Sequence, residues 1–193
     1  HLFFQNFDLF SAIKVSLFYV VSIVSSTGFD LQVNGLGMLP TIIFIFLMFI
    51  GGCSASSSTG LKIVRVIVLL RYIPVSLKRI FHPRAIIPVR YNGKALRDES
   101  VRLIFGFFFL FLLLFIAGAF LLSIFGNGFI ASLSLSAAAI SNMGPIMGSI
   151  AQGFEYADLN LVSKYVLIVL MLIGRLEIYA FFALFSKSVW SRN

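Results

Sequence analysis

Apolar residues fall into blocks of unequal length along this chain. The block at 15–24 is too short to cross a bilayer, and it runs into Ser25, Ser26, Thr27, Gly28, Phe29 and Asp30. Over residues 11–24, Ile13, Leu17, Val20, Val21 and Val24 fall on one side of a helix. About fourteen residues make roughly 21 Å of helix against roughly 30 Å of hydrocarbon, so the pattern predicts a helix that enters a membrane and turns back. The negative end of its dipole favours a cation just beyond it, beside the carbonyls of residues 25–29. A serine-rich turn after a buried helix has the same composition.

No charge occurs between Asp30 and Lys62, and an unbroken helix over that stretch would be roughly 46 Å long, well beyond the bilayer core. Pro40 can open a helix, residues 41–50 are strongly apolar, and Gly51, Gly52, Cys53, Ser54, Ala55, Ser56, Ser57, Ser58, Thr59 and Gly60 follow. Small, hydroxyl-rich residues have poor helix propensity and bond their own backbone in other forms, which predicts an unwound intramembrane loop. Such backbone is tolerated at that depth only where protein or a water-filled cavity surrounds it. Close helix packing through small residues is the competing reading.

Helix is expected to resume at 61–73, with Lys62 and Arg65 snorkelling to an interface. Pro74, Pro83 and Pro88 predict a non-helical connection over 74–97, with a tight turn at Asn92-Gly93 and His82 on its surface. Residues 103–125 are long enough for a full span, anchored by Arg102. A second short segment, 129–140, then ends in Ser141, Asn142, Met143, Gly144 and Pro145. Shifting by 116 residues superposes Ser16-Leu17 on Ser132-Leu133, Ser25 on Ser141 and Gly28 on Gly144, which reads as an internal repeat. Residues 159–185 complete the pattern as one helix carrying Arg175 and Glu177 near its middle.

Composition places these segments in lipid. The 193 residues are 60% hydrophobic and 11% charged, with mean hydropathy +1.03. The formal charge of +8 raises nucleic acid as a partner, but ten of the fifteen Lys and Arg lie between Lys62 and Arg102. The positive-inside rule accounts for that cluster and makes the connection cytoplasmic. Asp30, Glu155 and Asp158 fall on the opposite side, where an acidic mouth attracts cations, although a solvated loop has the same composition. The single Cys53 excludes an internal disulfide, and nothing resembles a metal cluster, a Ser/His/Asp arrangement, paired buried carboxylates or a phosphate loop. The expectation is no cofactor and no enzyme activity. His1 is preceded by no Met and followed by no signal-peptide pattern, so the chain reads as a piece of a larger protein.

An arginine at a helix centre costs about 2.5–3.5 kcal/mol on insertion scales and marks a function by default. Arg175 and Glu177 lie roughly 200° apart on a continuous helix and need separate partners. For Arg175, which has only donors, the loop at 51–60 offers surplus carbonyls and hydroxyls.

Five pieces carry a family resemblance: Ser26-Thr27-Gly28-Phe29; Gly51-Gly52-Cys53-Ser54 with Gly60-Leu61-Lys62; His82-Pro83 with Ile87-Pro88-Val89; Asn142-Met143-Gly144-Pro145; and Gly174-Arg175-Leu176-Glu177. In this order the chain resembles the C-terminal part of the Trk/Ktr-type potassium uptake proteins, closer to the Trk branch. The resemblance implies an all-α integral membrane protein of membrane-pore-membrane repeats, built like a potassium channel, with re-entrant pore helices and a broken inner helix. Residues 1–73 would form part of the third repeat, 74–100 a cytoplasmic loop, 101–186 the fourth repeat and 187–193 a cytoplasmic tail. K+ would be the transported ion, coordinated by carbonyls of Ser25, Ser26, Thr27, Gly28 and Phe29 and of Ser141, Asn142, Met143, Gly144 and Pro145. Gly51, Gly52, Cys53, Ser54, Ser56, Ser57, Ser58, Thr59 and Gly60 would form a gate, together with Arg175 and Glu177.

The implied partners are membrane lipid, the remaining pore repeats, a second copy in a homodimer and a cytosolic nucleotide-regulated ring. The implied location is a bacterial inner membrane. Two departures stand out: Ala55 to Ser58 is poorer in glycine than the family's gate loop, and Met143 replaces a smaller residue. An ion-coupled secondary transporter, which also uses broken helices and repeats, is the alternative. An intramembrane enzyme or lipid-binding assembly subunit fits the single cysteine and the histidine-poor helices less well.

Overall fold

A computed structural model describes residues 9–29, 31, 38–52, 60–81, 87–144, 157, 159–176 and 178–185. These form α1 (Leu9–Val24), α2 (Met38–Ile50), α3 (Ile63–Phe81), β1 (Arg90–Tyr91), β2 (Lys94–Ala95), α4 (Asp98–Ile124), α5 (Phe129–Ser141), α6 (Leu161–Arg175) and α7 (Ile178–Phe185). Among the described residues only α4, 27 residues long, is apolar and long enough to cross a membrane by itself.

Helix α5 is the centre of the bundle. It packs mainly on α4 and α6, with α2 against it and α1 against α2. From Ser134 to Ser141 every residue of α5 is buried. Small residues permit this: Ala137, Ala138 and Ala139 lie in one cluster with Tyr19, Ile23, Phe44, Met48, Phe115 and Leu170, drawn from all four neighbours. The Ser136 hydroxyl donates to the Phe115 carbonyl on α4 at 2.8 Å, so its burial costs little. Gly118 on α4 leaves room for both, since a Cβ there would lie 2.7 Å from Ser136 Oγ and 2.6 Å from Leu170 Cδ1. Edge-on aromatic pairs join α2 to α4, Phe49 sitting 4.8 Å from Phe115 and 5.6 Å from Phe111 between ring centres.

Helix α2 opens with Pro40 in its first turn, where the missing N–H is harmless, and ends at Ile50 before Gly51 at φ +63°. The Gly51 N–H still donates to Leu47 O, while Leu61 N–H returns to Phe49 O at 3.0 Å and Ile63 N–H to Gly52 O at 3.3 Å. Both ends of the 51–60 segment are therefore fastened to the last turn of α2. A Cβ on Gly60, at φ +105°, would press on the Met48 and Phe49 carbonyls.

Three expectations are corrected. Pro74 lies inside α3, which continues to Phe81, and α4 already begins at Asp98, so the connection is shorter than 74–97. A proline removes one bond and crowds the turn before it, but Tyr72 and Val75 pack on the buried trio Val68, Val89 and Val101 and hold the helix through the defect. The 159–185 run is two helices, broken at Leu176. On α1, for which the sequence pattern assigns no packed face, the stripe Ile13, Leu17, Val20, Val21 and Val24 is exposed, Leu17 to 62%, while Tyr19, Ser22 and Ile23 are buried. Lipid is as apolar as a core, so hydrophobicity does not choose the packed face of a membrane helix. Arg65 does not simply snorkel: it is half-buried, its guanidinium 4.0 Å from the centre of the Phe107 ring.

The turn at Asn92-Gly93 is as the sequence predicts, both residues at positive φ between paired strands in which Arg90 faces Ala95 and Tyr91 faces Lys94. Arg79 joins the base of α3 to this connection, donating to Ile87 O and to Asp98 Oδ1 in the first turn of α4.

Candidate ion-binding site

The short helices α1 and α5 end in the same way. Ser26 and Asn142 each adopt the left-handed conformation, at φ +55° and +51°. The Ser26 N–H donates to Ile23 O at 3.0 Å and the Asn142 N–H to Ala139 O at 3.1 Å. One residue on, Thr27 N–H reaches Ser22 O and Met143 N–H reaches Ala138 O, each at 3.0 Å. This is the Schellman arrangement, which absorbs two of the last carbonyls and swings the chain off the helix axis. Gly28 and Gly144 follow at φ +76° and +73°. Every pair is related by the 116-residue shift, so the repeat seen in four side chains is also a repeat of backbone geometry.

The two ends meet. A Cβ added to Gly28 would overlap the carbonyl oxygen of Met143, lie 2.9 Å from its carbon and 3.5 Å from the Gly144 Cα. Only glycine permits this backbone approach, on grounds of both space and φ. Around Gly144 no described atom lies within 4 Å of the Cβ position, so only its φ demands glycine. Met143 is 1% exposed and its side chain packs in the α5 cluster, which is how a large residue is accommodated in this strand. On the first strand the Ser22 hydroxyl holds the Phe29 carbonyl at 3.0 Å, and Ser25 and Thr27 hydroxyls bond each other at 2.6 Å.

Two helix C-termini, each the negative end of a dipole, thus converge on backbone carbonyls with no titratable side chain among residues 25–29 and 141–144. Such a site suits a monovalent cation that exchanges hydration water for carbonyl oxygens. Among the described residues no group of three or more His, Cys, Asp and Glu could hold a metal ion.

The helix beyond is pinned to this site through contacts that sequence reasoning missed. Asn142 Nδ2 donates to Met171 O on α6 at 3.0 Å. A Cβ on Gly174 would overlap the Ile140 carbonyl oxygen and lie 2.8 Å from Asn142 Nδ2. Glycine beside an arginine in an apolar run was the available signal. The Ser141 hydroxyl donates to Met48 O at 3.1 Å, joining the site to the end of α2.

Gly51, Gly52 and Gly60 are described, the first two buried; Cys53, Ser54, Ser56, Ser57, Ser58 and Thr59 lie outside the described residues, as do Pro145, Glu177, Asp30, Glu155, Asp158 and His82. Arg175 is exposed in the last turn of α6, where a helix dipole favours a cation, rather than at a helix centre. Leu61, which closes the 51–60 segment, packs in one cluster with Ile140, Ile173 and Ile178, the last two flanking Arg175. The break between α6 and α7 and the loop's anchored end are therefore neighbours.

Residues 2–192 match the profile of a family described as TrkH, cation transport protein. The chain is 34% identical over 184 residues to a Trk system potassium uptake protein TrkH of Vibrio parahaemolyticus, covering 94% of the chain and 37% of that protein. It is 33% identical to the Trk system potassium uptake protein TrkG of Escherichia coli K12, covering 95% of the chain and 38% of the relative. The crystal structure of the potassium transporter TrkH from Vibrio parahaemolyticus superposes with a TM-score of 0.83 at 33% identity, over 96% of this chain and 40% of that one. The chain spans well under half the length of these relatives.

Proposed function

The chain belongs to the TrkH family of cation transport proteins, and from that premise we propose that it is the part of a potassium uptake protein that supplies two of the strands around a channel-like pore. The observation carrying this reading is the meeting of two identically capped helix ends, 116 residues apart, at Gly28 and Met143. Potassium sheds water to carbonyls of residues 25–29 and 141–145. It then passes the 51–60 segment, a gate whose position Arg175 and Glu177 bias. The shared packing of Leu61, Ile173 and Ile178 supports that coupling.

Two strands do not surround an ion, so the remaining repeats of the full-length protein complete the ring. The exposed stripe on α1 supports this: its counterpart α5 is buried at every residue from Ser134 to Ser141, whereas Leu17 and Val21 are 62% and 56% exposed. The assembly sits in a bacterial inner membrane with the basic 74–100 region and the C-terminus cytoplasmic. It forms a homodimer and docks a nucleotide-regulated cytosolic ring.

The test is rubidium uptake by cells lacking their own potassium uptake, expressing the full-length protein with Gly144→Ser or Arg175→Ala. Lost or less selective uptake with the first and raised flux with the second are expected. Uptake unchanged by both overturns the pore reading.

A further inference from the structure

We propose that the cleft between α3 and α4 binds an anionic phospholipid, its headgroup on Arg102 and one acyl chain beside the fastened ends of the 51–60 segment. A cavity of about 680 Å³ lies between α2, α3 and α4, walled by side chains such as Phe49, Ile50, Leu61, Leu70, Phe105 and Phe108, with no charged group in its lining. A second cavity of about 470 Å³, lined by Tyr72, Arg79, Asp98 and Arg102, shares Phe105 with it. Both volumes lie within the roughly 300–1,000 Å³ of ordinary ligand sites.

Charged side chains line the second cavity and none lines the first. From Arg102 to Leu112, the furthest α4 residue in the lining, α4 rises roughly 15 Å, half of the roughly 30 Å hydrocarbon thickness and so the depth of one leaflet. Arg79 is engaged by Ile87 O and Asp98, whereas among the described residues no hydrogen bond or ion pair uses Arg102. An arginine fork at the mouth of an apolar slot matches a phosphate, and basic pockets between membrane helices recruit acidic headgroups. Arg79 and Arg102 outweigh Asp98 in that lining, and this net positive mouth favours a headgroup of net negative charge over a zwitterionic one. At the deep end, Ile50 and Leu61 flank the 51–60 segment, and Leu61 is itself bonded to Phe49 O, so an acyl chain there braces the loop's ends.

Native mass spectrometry of the full-length protein, titrated with phosphatidylglycerol and with phosphatidylcholine of the same chains, tests this. The unmodified protein should retain phosphatidylglycerol about fivefold better, and Arg102→Gln should equalise the two. Leu70→Trp, which fills the slot, should lower retention of both. Arg102 and Leu70 are both exposed, so neither change should prevent folding. Equal retention by the unmodified protein, or a preference unmoved by Arg102→Gln, overturns the proposal. So does cross-linking of a Leu70→Cys variant to another polypeptide segment in membranes, which would give the slot to protein.

Discussion

Replacing Gly28 by alanine tests whether the two capped ends really touch. Alanine at φ +76° costs roughly 1–2 kcal/mol in the left-handed region, and the same holds for Gly144 at +73°. Gly28 carries a second penalty. Its new methyl would occupy the place of the Met143 carbonyl oxygen, and the backbones must part by more than about 1 Å before ordinary contact near 3.5 Å returns. Neither strand can yield cheaply, since Met143 is buried and bonded to Ala138, and Thr27 to Ser22. Forcing a methyl into packed structure adds roughly 1–3 kcal/mol, giving a total of about 2–5 kcal/mol against about 1–2 for Gly144→Ala.

The assay is rubidium uptake with sodium competition, normalised to protein in the membrane, for the full-length protein in cells lacking other potassium uptake. Gly28→Ala should fall to background. Gly144→Ala should reach the membrane at near-normal level and retain partial uptake. Wild-type uptake and selectivity in Gly28→Ala would refute the contact.

Gly174→Ala should lower thermal stability by about 1–3 kcal/mol, more than Gly118→Ala, because the first meets the Ile140 backbone and the second only the ends of Leu170 and Ser136 side chains; thermal unfolding of the purified full-length protein ranks them. At position 142 the stability order should be Asn, then Gly, then Ala. Glycine loses only the bond to Met171 O, about 1 kcal/mol, while alanine also loses ease at φ +51°. Asp98→Asn should cost well under 1 kcal/mol by the same measurement, since the Arg79–Asp98 pair is 33% and 66% exposed.

Much of the fold was readable because it is written in local chemistry. The two short helices, the glycine break after Ile50 and the turn at Asn92-Gly93 each follow from residue types that permit few conformations. The shift of 116 residues rested on few identities, yet it locates matching caps, because a left-handed residue followed by glycine is a backbone requirement that sequence records directly. What was not readable depends on partners far along the chain. Pro74 breaks a helix by propensity, but packing on Val89 and Val101 overrides it. The break at Leu176 carries no proline, and its neighbours become evident only once Ile173 and Ile178 are seen beside Leu61. The exposed stripe on α1 could not be assigned an inside or outside, because in lipid the two are equally apolar. Likewise Gly174 and Asn142 read as parts of motifs, while their role in holding α6 against the capped end of α5 is a matter of tertiary distance.

The central claim, that residues 25–29 and 141–145 line a potassium path, is met most directly by anomalous diffraction from crystals of the full-length protein soaked in thallium or rubidium. The account predicts ion density on an axis flanked by the carbonyls of both strands, diminished in Gly144→Ser crystals. Density confined to side-chain carboxylates or to the protein surface, with none beside either strand, would contradict it.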